Sequence, residues 1–196
     1  MYQEVFIPHA QLVTTIDNFY SDPAWVRERA LAHSFVGPQT SQGRFNRGPI
    51  ANRAECDEDM RELFIAQLSH KLPKPIQNIR VEFRYTTGAS CSKNVCHADG
   101  VDYAGIVYLT LPEFCQGGTS FYQHISTGEF VAQAAQRGCY DWANPDDWSL
   151  VYQAQMQFNR VVFYPGDLFH SVTKPFFGNT MDNARLTQNF FITLVP

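Results

Sequence analysis

What the chain has little of narrows its class first. Charged residues fill only 17% of its 196 positions, with a net charge of −4, against roughly 25% in an average globular protein. That weak acidic balance gives no electrostatic reason to expect nucleic acid or an anionic membrane as a partner. No apolar run reaches membrane-spanning length, and Met1 to His9 lacks the basic and long apolar regions of a secretion signal. The expected location is therefore cytoplasmic. Cysteine is sparse and unpatterned: Cys56, Cys91, Cys96, Cys115 and Cys139 are odd in number and contain no C-x-x-C pair. A disulfide framework does not fit, and reduced, buried thiols do. A zinc site from Cys91, Cys96 and His97 has suitable ligand types but lacks a second close pair. Linker composition, repeats and low-complexity tracts are also missing.

What is plentiful is aromatic: 16 Phe, 9 Tyr and 3 Trp within a 44% hydrophobic composition. A chain of this length can bury one substantial core, so a single domain over 1–196 is expected. Two helices come early. Ser21-Asp22-Pro23 offers a cap and a first-turn proline, with Trp25, Val26, Leu31 and Phe35 on roughly one face before Gly37-Pro38. From Asp57 to Leu72, Met60, Leu63, Phe64, Leu68 and Leu72 recur at helical spacing behind acidic residues, and Pro73 and Pro75 follow. Between them, 37–53 reads as a long loop. The expected layout is a helical N-terminal part (1–77) and a β-rich core (78–196).

From Ile79 the period becomes that of strands. Val81, Phe83 and Tyr85 alternate with Glu82 and Arg84, and Tyr103–Leu111, Thr119–His124, Arg160–Tyr164 and Leu186–Val195 are further β-rich runs. Short strands after two helices suggest an antiparallel double-sheet barrel with helices packed on one side. Residues 126–158 read as an insertion, in which Trp142, Trp148 and Tyr152 either line a pocket or form a small satellite core.

The chemistry gathers around His97-Ala98-Asp99. In an extended segment His97 and Asp99 point the same way, so both can reach one ion while Ala98 turns aside. His170, in Phe163-Tyr164-Pro165-Gly166-Asp167-Leu168-Phe169-His170, supplies a third ligand type from a distant strand. Two imidazoles and one carboxylate on one face of a metal suit non-haem iron(II) and leave open positions. Arg185, farther on, is suited to gripping a carboxylate with parallel N–H donors, and Thr187 would point the same way along a strand and could add a hydroxyl donor to the same carboxylate. His124 has no carboxylate partner at close spacing and is read as a supporting or surface residue.

The succession Phe83-Arg84-Tyr85-Thr86-Thr87-Gly88, His97-Ala98-Asp99, Tyr103–Leu111, Gly117-Gly118-Thr119-Ser120-Phe121-Tyr122 and Val162-Phe163-Tyr164-Pro165-Gly166 to His170-Ser171-Val172 resembles the 2-oxoglutarate- and iron(II)-dependent oxygenases. The prolyl-4-hydroxylase-like branch is the most similar, and the resemblance runs from Ile79 to Val195. It implies a double-stranded β-helix, or jelly roll. It also implies a hydroxylase that consumes 2-oxoglutarate and O2, releases succinate and carbon dioxide, and oxidises an unactivated C–H bond. The substrate would be an amino acid, a peptide or protein side chain, or a small natural product. Carried over residue by residue, His97, Asp99 and His170 are the iron ligands, and Arg185 holds the far carboxylate of 2-oxoglutarate. Tyr85 either reaches the same carboxylate or is a core aromatic. Two departures stand out: the resembling branch usually has lysine where Arg185 stands, and the interval from His170 to Arg185 is long. Arg84 and Arg160 are alternative anchors, although Arg84 alternates out of phase with Tyr85 and Arg160 suits an acid at a strand end. A non-catalytic jelly-roll binding protein and a zinc-stabilised interaction domain are the rival classes.

Overall fold

The computed structural model describes residues 1–7, 11–37, 52–90, 96–133 and 140–196. Much of the expected 37–53 loop, together with Cys91 and Cys139, lies outside them. Helix α1 (Pro23–Ala32) starts where Asp22 accepts a hydrogen bond from the Trp25 N–H at 3.0 Å, with Pro23 in the first turn. It buries Val26, Arg27 and Ala30. Trp25 is one position off that face and is 43% exposed, beneath the Arg29 guanidinium. Helix α2 (Glu58–Leu68) is capped by Asp57 and buries Met60, Phe64 and Leu68, the expected stripe. A turn of 3-10 helix over Ser69–Lys71 ends it ahead of the prolines.

Among the described residues ten strands follow one another: β1 (Tyr2–Ile7), β2 (Gln11–Ile16), β3 (Asn52–Glu55), β4 (Ile76–Thr86), β5 (Tyr103–Tyr108), β6 (Gly118–His124), β7 (Trp148–Gln155), β8 (Val161–Pro165), β9 (His170–Thr173) and β10 (Arg185–Leu194). They form a seven-stranded sheet in the order β1-β2-β8-β5-β10-β4-β3 and a three-stranded sheet in the order β7-β6-β9, with every strand pair antiparallel. Two expectations change. Residues 1–77 hold three strands as well as helices, and β1–β2 extends the large sheet through β8. The expected insertion over 126–158 contains β7, a full member of the small sheet.

Alternation along β4, β5, β8 and β10 sorts the core into two layers. Phe83, Val107, Phe163, Leu186 and Phe190 gather on one side with Val26, Ala30, Met60, Phe64 and Leu68 of the helices. Ile106, Tyr108, Val162 and Tyr164 point the other way and meet Phe121 and Ala154 of the small sheet. Close approach fixes the sheet junctions. Gly118, with φ +155°, starts β6 where a side chain would run into the Ala154 carbonyl at 2.0 Å. A third cluster, Cys96, Ala132, Tyr140, Trp148 and Phe169, with Trp142 packed on it, flanks the small sheet. Trp142 and Trp148 are therefore satellite core, and Tyr152 stacks near Phe121. None of the three lines the cavity between the two sheets.

Candidate metal centre and its cavity

His97 is tied to β9 by reciprocal backbone hydrogen bonds with His170, each 2.9 Å, forming an antiparallel bridge beyond the small sheet's regular strands. The pairing sets the two imidazoles side by side, with ring centroids 4.3 Å apart. Asp99 is held two residues on by its N–H, which donates to the Gly166 carbonyl at 2.8 Å. Gly166 permits this turn, because a Cβ there would meet the Val101 carbonyl at 2.3 Å. His97 and Asp99 thus point together, as the extended spacing predicts, although they flank a bridge and do not belong to a long strand. The potential ligand atoms of His97, Asp99 and His170 all lie within 4.8 Å of one another.

The electrostatics suit a cation. Asp99 Oδ2 is 3.3 Å from His170 Nε2 and Oδ1 is 3.9 Å from His97 Nε2. Burial works against the Asp99 charge, but His170, then His97 and Arg84, outweigh it and hold the carboxyl below its usual range. His170 Nδ1 lies 2.8 Å from the Leu168 carbonyl, a pairing that puts the proton on Nδ1 and leaves Nε2 to coordinate. The ring packs between Phe121 and Tyr164, which fixes its plane. His97 is the most open of the three, with its side chain 38% exposed and lining the cavity.

The three residues line a cavity of about 270 Å³ between the sheets. Arg185 lies in its wall at 5% exposure, and its Nε and Nη2 have no hydrogen-bond partner. Arg27 shows what a buried arginine ordinarily requires: its Nη1 and Nη2 donate to the Leu109 and Asp182 carbonyls at 2.7 and 2.8 Å. Burial pulls the Arg185 guanidinium down to about 10, so it remains cationic at neutral pH. A buried cation with unsatisfied donors beside a two-histidine, one-carboxylate group fits a bound carboxylate.

The other expected residues separate by strand parity. Thr187, pointing to the same side as Arg185, is fully buried and donates to Asn189 Oδ1 at 2.8 Å, beneath the cavity wall. Tyr85 faces the helices and packs edge-to-face on Phe35 with centroids 4.8 Å apart; it does not line the cavity. The out-of-phase Arg84 does, bonded to Glu82. Arg160 bonds Asp17 at 2.6 Å, away from the cavity. His124 is buried between Tyr140 and Trp148 and bonded to Thr127. Burial raises the Cys96 thiol well above its ordinary value, which opposes thiolate ligation. Sequence reasoning missed Arg53, Arg80 and Phe191 as cavity residues. Their alternation with known cavity residues on β4 and β10 was the available signal for Arg80 and Phe191.

Solved structures with this architecture include the non-heme, alpha-ketoglutarate-dependent epimerase SnoN from nogalamycin biosynthesis. Its TM-score is 0.59 at 15% identity, covering 92% of this chain and 78% of that one. HygX from Streptomyces hygroscopicus, crystallised with nickel, 2-oxoglutarate and hygromycin B, gives 0.59 at 12% identity, covering 93% and 83%. A prolyl hydroxylase from Trichoplax adhaerens, in complex with a hypoxia-inducible-factor peptide fragment, gives 0.58 at 14%, covering 92% and 83%. The fold is therefore the jelly roll that these structures share, and the spread of the likenesses singles out no branch. No curated protein matches the chain. The chain belongs to the family of unknown function designated DUF6445, whose model matches residues 1–192.

Proposed function

We propose that this protein is a 2-oxoglutarate- and iron(II)-dependent oxygenase, a single domain over 1–196 with its helices backing the large sheet. The observation that carries this reading is the shared cavity of His97, Asp99, His170 and the buried, unsatisfied Arg185. His97, Asp99 and His170 would hold iron(II), and Arg185 would grip the distal carboxylate of 2-oxoglutarate. Iron with 2-oxoglutarate and O2 supplies the oxidising power for C–H hydroxylation, with succinate and carbon dioxide as co-products. The chain's own groups do the rest. Leu168 and Gly166 fix His170 and Asp99 through their carbonyls, Thr187 holds Asn189 through its hydroxyl two residues along the strand from Arg185, and the Phe121–Tyr164 wall limits water around the ligands. The substrate would be a small molecule or a peptide segment, and hydroxylation is the expected outcome.

The reading is tested by succinate formation that requires both added iron(II) and 2-oxoglutarate, and by 2-oxoglutarate binding to the metal-loaded protein without O2. His170→Ala should cut metal affinity by more than the roughly 100-fold that loss of a supporting hydrogen bond costs. Full metal content and turnover in that variant would defeat the assignment.

A further inference from the structure

On the solvent side of the cavity, β4 and β3 bring together three guanidinium groups that the proposed reaction does not use. Arg80 stands opposite Phe191 in the β4–β10 register, and Arg53 stands opposite Arg84 in the β3–β4 register. Arg80 lies over the Phe191 ring at 4.4 Å and Arg84 approaches the same ring at 5.4 Å. A stacked guanidinium keeps its edge N–H groups free to fork an anion. All four side chains line the same cavity as the metal ligands.

Charge balance shows what this wall lacks. Glu82 pairs with Arg84 and is 3.9 Å from Arg53. Glu55, next along β3, is exposed and does not line the cavity. If, as proposed above, Asp99 and 2-oxoglutarate answer the metal and Arg185, one carboxylate among the described residues, Glu82, remains to answer three arginines. Two cationic charges are left facing the open part of a small cavity.

We propose that Arg80, Arg84 and Arg53, with Phe191, form an anion-binding subsite that selects a substrate bearing a carboxylate or phosphate close to the carbon to be oxidised. This rests on the oxygenase reading and adds a substrate class to it. Phe191 supplies an apolar surface for the substrate's carbon skeleton beside the anion. The cavity, below the roughly 300–1,000 Å³ of drug-sized sites, admits a small molecule or one protruding side chain.

The test uses the full chain loaded with a redox-inert divalent metal and saturated with 2-oxoglutarate, so that Arg185 is already engaged. Calorimetry then compares matched probes: N-acetylglycine against N-acetylglycinamide for carboxylate, and glycerol phosphate against glycerol for phosphate. At least one anionic probe should bind tenfold or more tightly than its neutral partner, and the pair that discriminates identifies the anion. Arg80→Gln should erase that difference. Arg80 is exposed, so this variant does not threaten the core, and Arg53→Gln gives an independent second reading. Equal binding of charged and neutral probes, binding of neither anion, or discrimination that survives both substitutions overturns the subsite. Failure of the metal-loaded wild type to bind 2-oxoglutarate at all instead overturns the oxygenase reading.

Discussion

The two faces of the large sheet are built from adjacent residues of the same strands, yet they differ in almost every physical respect. On the helix side, Phe83, Leu186 and Phe190 are fully buried against Met60, Phe64 and Leu68, and Phe64 meets Phe190 at 4.7 Å between centroids. On the inner side, the neighbouring positions are Glu82, Arg84, Arg185 and Asn189, and the arginines and Asn189 line the cavity. Period-two alternation thus separates scaffold from chemistry within a single strand. The apolar face makes it affordable to keep polar donors unsatisfied on the other.

The contrast is broken most forcefully from the apolar side. Phe64→Ala should cost roughly 3–5 kcal/mol of unfolding free energy, since it removes a fully buried ring from a packed layer. Metal and 2-oxoglutarate affinity measured below the transition should be retained, because Phe64 does not line the cavity. Denaturant unfolding beside ligand titration separates the two quantities. A folded Phe64→Ala protein that no longer binds metal would show that the faces are coupled.

Arg185→Met probes the inner face and should behave in the opposite sense. Loss of the carboxylate partner should weaken 2-oxoglutarate binding by about 2–5 kcal/mol. Unfolding of the ligand-free protein should be no easier, and a gain of order 1 kcal/mol is expected, because a buried unpaired cation is replaced by an apolar chain. Titration with 2-oxoglutarate and a denaturant curve test both halves. A ligand-free protein destabilised by several kcal/mol would mean that Arg185 is a structural cation like Arg27.

How much of this was legible in the sequence follows from the range of the forces involved. The pairing of His97 with Asp99 was readable because extended backbone fixes side-chain direction locally, His170 only through the order of motifs in the family resemblance, and α2 because its apolar stripe and leading acidic residues are local too. The strands β2, β3 and β7 were not, since each is stabilised by partners farther along the chain: β2 by β8, β3 by β4, β7 by β6; β1 pairs only with its neighbour β2 and follows it onto the sheet. The arginines were harder still. Alternation shows that Arg84 and Tyr85 face opposite ways, but only the position of Phe35 and the helices shows which way is inward. The resemblance leaves Tyr85 open between the carboxylate and the core, and its packing on Phe35 sets it with the core.

A smaller test compares two arginines. Arg160, unlike Arg185, is satisfied on all sides by Asp17, Gln155 and Gln157. The Arg160 hydrogen bond is the main cause holding the Asp17 carboxyl below its usual range. A depressed carboxylate stabilises the fold above its unfolded value near 3.9, and that contribution fades as pH falls through the folded value. Arg160→Gln should therefore cost about 1 kcal/mol at neutral pH, with the difference from wild type shrinking below about pH 4. Affinity for 2-oxoglutarate should not change. A cost that persists undiminished into acid would assign the loss to the Gln155 and Gln157 contacts instead.

The smallest expected effect is the most diagnostic of the sheet itself. Tyr85→Phe removes only a hydroxyl from the helix side, where the ring packs edge-to-face on Phe35, so stability should stay within about 0.5 kcal/mol. The 2-oxoglutarate dissociation constant should be unchanged. The reason is register: Tyr85 pairs with Leu186 and Thr86 with Arg185, so the partners of Arg185 lie in the row that excludes Tyr85. A slip of one residue between β4 and β10 would exchange the rows and carry every β4 side chain to the other face. A tenfold loss of 2-oxoglutarate affinity in Tyr85→Phe would thus place Tyr85 in the cavity and Arg84 outside it. The anion subsite on Arg80 and Arg84 would fall with the same result, since both share the parity that Tyr85 would have displaced.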